Sequence, residues 1–239
     1  MYVLREIGHR PRTGRYMLRD GGAAVLLRHH TDDTGVFAEI FRAEYYALPE
    51  GVSADLRSLG SRATFVDLGA NVGLFGAWVL THFPTARVIA FEPDPASLRR
   101  LSEVINMNGL ADAWTVVPAC ASNLKGMTAF AATGTSTSRM AETGSADANT
   151  EVPVVDVFQY LDVVDVIKMD IEGGEWNILL DPRWPAVSAR AVVMEYHPQG
   201  CPGLDAHELA CQRLQAAGFV VESVTHNAAG HGMLRAVRG

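Results

Sequence analysis

The run Phe65-Val66-Asp67-Leu68-Gly69-Ala70-Asn71-Val72-Gly73-Leu74 constrains the fold more than any other stretch, because an apolar strand, a glycine-bearing turn and a helix start follow one another without a break. A second apolar strand, Arg87-Val88-Ile89-Ala90-Phe91, comes one helix later and ends in Glu92. Parallel neighbours need crossover connections of this kind, and right-handed crossovers put helices on both faces of a sheet. The alternation continues. The pattern predicts strand 64–68, helix 73–82, strand 87–91, helix 95–107 and strand 114–119, then strand 152–155, a short helix 156–161, strands 164–169 and 190–195, helix 204–217 and closing strands 219–225 and 232–237. The expected architecture is a doubly wound α/β sheet.

The first turn also selects among ligands. Glycine at 69 lets the backbone come close to a ligand where a Cβ would collide, and an acid at the tip of the second strand suits a pair of ribose hydroxyls. A dinucleotide fingerprint needs G-x-G-x-x-G to seat a pyrophosphate, but Asn71 stands at the second glycine position and Leu74 at the third. The phosphate-free adenosine compound S-adenosylmethionine fits better. The alternatives are an NAD-type oxidoreductase on the same fold, a non-catalytic S-adenosylmethionine-binding module, and a buried strand followed by an ordinary glycine turn.

A later run, Ile167-Lys168-Met169-Asp170-Ile171-Glu172-Gly173-Gly174-Glu175, extends the case. Together with VDLGANVG, FEPDP and the early VFAEIFRAEYYALP, it resembles the FkbM family of S-adenosylmethionine-dependent methyltransferases across roughly residues 34 to 197. The resemblance implies a Rossmann-like class I methyltransferase sheet, mostly parallel and seven-stranded, whose last strand is antiparallel. It further implies methyl transfer to a hydroxyl of a small natural product or sugar. DNA base methylation is disfavoured, since the fourth strand ends in Asp170-Ile171-Glu172 rather than an N-P-P-Y-like signature and no cysteine follows a proline.

Ligands of open α/β sheets bind beyond the carboxyl ends of the strands, at the switch point. The cofactor residues expected there are Asp67, Gly69, Ala70, Asn71 and Gly73 from the first turn, Glu92 and Pro93 from the second strand, Ala119, Cys120 and Ala121 from the third, and Asp170 from the fourth. Glu92 would take the ribose diol, the glycine turn the methionine end, and the third strand end the adenine. Cys120 has no basic neighbour in sequence to activate it and reads as a packed residue. Glu175 has two readings, as one more carboxylate beside Asp170 and Glu172 or as a helix N-terminal acid.

At the fifth strand end, Glu195 and His197 share a face by the period of two. Asp170, Glu195 and His197 are the catalytic candidates, with His197 as proton acceptor for the attacking hydroxyl. The same three can hold a divalent ion; the metal-free arrangement is the working assignment, beside a purely structural histidine.

Residues 1–52 are expected as an N-terminal arm and helix packing on a cofactor domain of residues 53–239. Residues 1–33 suit a small hairpin or extended arm, and apolar spacing predicts a helix from Val36 to Leu48, closed by Pro49 and Gly51, that roofs the cleft or packs beside it. Tyr45 and Tyr46 would pack there or touch a ligand. The Ala/Gly/Ser/Thr-rich segment 131–150 reads as a long loop, either a surface insertion or a lid.

Of 239 residues, 20 are Lys or Arg and 27 Asp or Glu, a net charge of −7 with no basic run, which argues against nucleic acid. Three cysteines without a C-x-x-C pair suit a reducing compartment, and neither a signal-peptide core nor an 18-residue apolar run is present. A cytoplasmic protein acting on a small molecule, away from membranes, is expected.

Overall fold

The structure is a computed structural model and describes residues 13–18, 22–141 and 145–239. The first twelve residues and residues 19–21 of the expected arm, and residues 142–144 of the expected loop, lie outside the described residues. A hairpin of β1 (Thr13–Met17) and β2 (Ala24–Arg28) leads into α1 (Asp33–Phe41) and α2 (Glu50–Leu59). The alternation then runs β3 (Thr64–Leu68), α3 (Leu74–His82), β4 (Arg87–Phe91), α4 (Pro95–Asn108) and β5 (Trp114–Val117).

Four short strands follow, β6 (Cys120–Ser122), β7 (Gly126–Ala131), β8 (Arg139–Met140) and β9 (Thr150–Asp156). They form a separate sheet in the order β6-β9-β7-β8. The chain re-enters the main sheet through α5 (Phe158–Leu161), β10 (Val166–Met169), α6 (Glu175–Leu179), β11 (Ala191–Tyr196), α7 (Ala206–Ala216), β12 (Phe219–His226) and β13 (Gly232–Arg238).

The main sheet has seven strands in the order β12-β13-β11-β10-β3-β4-β5. Every pairing from β11 to β5 is parallel, and β13 runs antiparallel to both neighbours. Strand order reverses at β3, so the carboxyl ends of β3, β4 and β10 diverge into a crevice. Alternation along the strands feeds two cores. Phe65 and Val193 pack on the face covered by α3, α4 and the N-terminal elements, whereas Val66, Leu68, Ile167 and Met194 pack on the face covered by α6 and α7. These are helices on both faces, as the crossover pattern demands.

Three expectations need correction. The helix predicted for 36–48 is α1, which ends at Phe41, and Pro49 opens α2 instead of closing a helix; proline is as compatible with a helix start as with a stop. The strand predicted for 114–119 ends at Val117, and Cys120 to Ser122 pair parallel with β9 in the smaller sheet. Segment 131–150 is not one long loop: Phe130 and Ala131 pair with β8, and β9 begins at Thr150.

The N-terminal hairpin is tied to the main sheet by Asn108 at the end of α4. Its Oδ1 accepts from the Ala24 N–H at 2.7 Å and its Nδ2 donates to the Ala24 carbonyl at 2.8 Å. Val25, Leu27, Ile40 and Tyr46 then share one hydrophobic cluster with Phe65 and Leu101.

Candidate functional site

The turn after β3 is held almost entirely by backbone. Gly69, Asn71 and Gly73 all have positive φ (83°, 49° and 87°). Asparagine is among the few side chains that tolerate this region, which is how position 71 dispenses with glycine. The N–H groups of Gly69 and Ala70 both donate to the Phe91 carbonyl, at 3.1 and 2.9 Å, and the Asn71 N–H donates to Glu92 Oε2 at 2.7 Å. Glu92 Oε1 accepts from the Asp94 N–H, also at 2.7 Å. Glu92 thus clamps two backbone segments while keeping a free lone pair on each oxygen. Burial pushes its pKa up to about 7, against the opposing pull of these two hydrogen bonds.

Gly69 has a reason other than ligand approach. A Cβ there would stand 1.8 Å from the Asp170 carbonyl oxygen, so the neighbouring strand end enforces the glycine. At Gly73 a Cβ would meet Leu101 at 2.6 Å and the Trp114 ring, so helix packing by itself demands this glycine.

On β10, the period of two places Lys168 and Asp170 on one face. Lys168 Nζ lies 3.2 Å from Asp67 Oδ1 and 3.7 Å from Asp170 Oδ2, and it donates to the Gly69 carbonyl at 2.5 Å. Burial opposes the lysine's charge, but Asp67 and Asp170 outweigh it and raise its pKa; burial also raises that of Asp67, the opposite bias for the pair. Contact with two carboxylates and a carbonyl favours the ion pair.

At the end of β11, His197 is only 3% exposed. Its Nδ1 lies 3.1 Å from Oε1 of the fully buried Glu175, which also accepts from the N–H groups of Ile171 and Gly173 at 2.9 and 3.0 Å. His197 Nε2 faces Glu172 at 3.6 Å and Glu195 at 3.9 Å. Burial works against a charged ring, yet the Glu175 hydrogen bond and the charges of Glu175, Asp170 and Glu172 push its pKa up to about 10. Burial and the Asp170 charge push Glu172 to about 7 and Glu195 to about 8. A ring that keeps its proton at neutral pH has no lone pair for a hydroxyl proton, which conflicts with the proton-acceptor role expected of His197.

A cleft of about 800 Å³, open to solvent, lies between these groups. Of the residues expected from sequence, Gly69, Ala70, Asn71, Glu92, Pro93, Cys120, Ala121 and Asp170 line it. Asp67, Gly73, Ala119, Glu195 and His197 do not. Asp67 lies beneath the floor behind Lys168, Ala119 is buried at the strand end, and Glu195 and His197 stand behind Glu172, which does reach the cleft. Cys120 is a packed thiol, pushed up to about 12 by burial and by Glu92.

The opposite wall was less legible. Val36, Ile40 and Tyr46 border the cleft from the N-terminal region, and Thr135, Ser136 and Ser138 border it from the supposed loop. That segment is latched. The Gly134 N–H and the Ser138 hydroxyl each donate to Asp94 Oδ2 at 2.8 Å, while the Ser136 N–H and hydroxyl both donate to Asp32 Oδ2. Arg28, paired with the buried Asp33, also donates to Asn71 Oδ1 at 3.2 Å and braces the glycine turn.

The Methyltransferase FkbM domain matches residues 67–221, well over half of the chain. The chain belongs to the FkbM methyltransferase family. Methyltransferase sdnD of Sordaria araneosa is 34% identical over 73 residues, 30% of this chain and 25% of that protein. AMB antimetabolite synthetase AmbE of Pseudomonas aeruginosa is 42% identical over 66 residues, 28% of this chain and 3% of that protein. The FkbM chain thus covers only a small part of either relative's length. A solved FkbM methyltransferase from Methylobacillus flagellatus KT shares its fold with a TM-score of 0.51 at 18% identity, over 74% of this chain and 44% of that one.

Proposed function

We propose that this FkbM methyltransferase moves the sulfonium methyl of S-adenosylmethionine to a hydroxyl oxygen of a small natural product or sugar. The observation that carries the donor assignment is the spent backbone of the glycine turn. Three successive N–H groups, at Gly69, Ala70 and Asn71, are already donated to Phe91 and Glu92, so no outward set remains to cradle a pyrophosphate. The cleft presents Glu92, Asp170 and Glu172, and its two cations, Lys168 and Arg139, are paired with Asp67, Asp170 and Asp147, a lining that suits a sulfonium cation better than phosphates. Both features speak against the nicotinamide alternative.

Glu92 keeps two lone pairs for the ribose hydroxyls, Cys120 and Ala121 border the adenine side, and Asp170 lies between donor and acceptor. Aligning nucleophile, methyl carbon and leaving sulfur avoids about 7–11 kcal/mol of barrier, so the cleft needs few reacting groups. A stretch shared with a protein named an antimetabolite synthetase supports a small-molecule acceptor. Calorimetry with S-adenosylmethionine and with NADH tests the donor, and labelled methyl transfer to a panel of hydroxyl compounds tests the acceptor. Tight NADH binding without S-adenosylmethionine binding would overturn the reading.

A further inference from the structure

At the cleft wall and just behind it, four polar groups converge without hydrogen bonds to one another or to any other described residue. They are the carboxylates of Asp170, Glu172 and Glu195 and Nε2 of His197. Nε2 belongs to a ring only 3% exposed, and the nearest acid oxygens, at 3.6 Å on Glu172 and 3.9 Å on Glu195, are too far to hydrogen bond. One ligating atom from each of Asp170, Glu172 and His197 falls within a mutual 4.8 Å, and a second such set joins Glu195, His197 and His231. In an octahedral shell of about 2.1 Å radius, opposite ligands stand about 4.2 Å apart, so shifts of under an ångström would seat these atoms on one ion.

We propose that Asp170, Glu172 and His197 bind a divalent cation of the Mn²⁺ type, the ion taking the place of the proton on His197 Nε2, with Glu195 flanking the site. The way the ring is supported points to a ligand and not to an idle acidic cluster. His197 is oriented from behind: Glu175 holds Nδ1 and is itself fixed by two backbone N–H groups, and the Trp176 indole donates to the His197 carbonyl at 3.0 Å. A buried carboxylate on the far nitrogen of a histidine is the support that metal-bound imidazoles have.

Of the nearby cations, Lys168 is shared between Asp67, the Gly69 carbonyl and, at 3.7 Å, Asp170, and Arg139 is paired with Asp147 at 2.9 Å; among the described residues neither Glu172 nor Glu195 has a lysine or arginine partner. Two carboxylates with one imidazole suit Mn²⁺ better than the all-oxygen preference of Ca²⁺ or the thiolate preference of softer ions. Because Asp170 and Glu172 also face the cleft, the ion would lie where an acceptor hydroxyl can reach it; this last step rests on the methyl-transfer reading, whereas the ion site itself does not.

The test uses the full-length protein, stripped with chelator and desalted, titrated with Mn²⁺ alone and followed by the electron spin resonance of free and bound ion. One ion per chain is expected, with coupling to a single imidazole nitrogen. His197→Ala should abolish that coupling and weaken binding at least 100-fold, and Glu175→Gln should weaken it about 10–100-fold through the lost support. Glu103→Gln, on the exposed face of α4, should change nothing. Circular dichroism confirms that each variant is folded. Absence of binding to folded wild type at millimolar Mn²⁺, or binding without imidazole coupling, overturns the site. If alkylammonium compounds instead stabilise the protein and Mn²⁺ does not, the cluster serves a cationic substrate and the metal proposal is wrong. S-adenosylmethionine binding, measured separately, reports on the methyl-transfer reading.

Discussion

The two ends of the cleft are built on opposite principles. At the tips of β3 and β4 the structure is almost all backbone: successive N–H groups are spent on Phe91 and Glu92, and the one carboxylate is hydrogen-bonded on both oxygens. At the tips of β10 and β11 the polar side chains face one another with their charges unresolved, and only Glu175 is fully hydrogen-bonded. The first end is rigid and preorganised, fit to hold an invariant part of a ligand. The second keeps acids in excess, fit to receive positive charge. On the methyl-transfer reading proposed above, the first is the donor end and the second the acceptor end, a difference that suits a donor unchanged in each turnover and an acceptor whose proton must be managed.

The largest expected effect lies at the acceptor end. Glu175→Ala removes the partner of His197 together with the cap on two backbone N–H groups, and breaking a buried pair of this kind costs about 3–5 kcal/mol. Chemical denaturation measures it. A loss under about 1 kcal/mol would show that His197 has another support and that the two ends differ less than the geometry indicates. Next comes Gly69→Val, which forces a Cβ onto the Asp170 carbonyl at a φ of +83°. Strain and overpacking together should cost about 2–5 kcal/mol, and donor binding should vanish with the stability. Loss of binding at wild-type stability would instead mean that the ligand, not the neighbouring strand, demands the glycine.

This contrast also explains what the sequence disclosed. The glycine turn and Glu92 sit within one strand-helix-strand unit, where apolar runs and local turn chemistry report geometry directly; β3 and β4 fall at the predicted residues. The latch of the 133–140 segment could not be read that way. Its Ser and Thr look like loop composition, and what orders them is Asp94 and Asp32, about 40 and 104 residues away. Lys168 was within reach, because a period of two from Asp170 sets it on the same face of β10. His231 carried no signal: only the pairing of β13 with β11 brings its ring to 5.0 Å from that of His197. The charge state of His197 was equally invisible, as it depends on Glu175, Asp170 and Glu172, which come from the end of a different strand, β10.

At the donor end the expected effects are smaller and confined to binding. Glu92→Ala removes a charged acceptor of the ribose hydrogen bonds and should weaken S-adenosylmethionine by about 1.5–3 kcal/mol, roughly 10- to 150-fold, in calorimetry. Wild-type affinity in a folded variant would remove the ribose assignment and leave Glu92 as a clamp alone.

The finest discrimination comes from pH, because Glu92 has a pKa of about 7 in place of the usual carboxylate value. The folded chain binds more protons at this group than the unfolded chain between about pH 4.5 and 7, so the contribution of Glu92 to stability falls as pH rises through that window. Donor affinity runs the other way. Below pH 7 the protonated carboxyl has lost its charge as a hydroxyl acceptor, and affinity should rise by up to tenfold per unit toward pH 7, then level off. Glu172 and Glu195 titrate nearby, at about 7 and 8, and would add to any slope in the wild type. Glu92→Gln separates them: it carries no titration at position 92, so its affinity should be weaker and flatter below pH 7, with whatever slope remains belonging to the acceptor end. An unchanged slope in Glu92→Gln would place the titrating group entirely at β10 and β11, and the donor end would then be indifferent to protons.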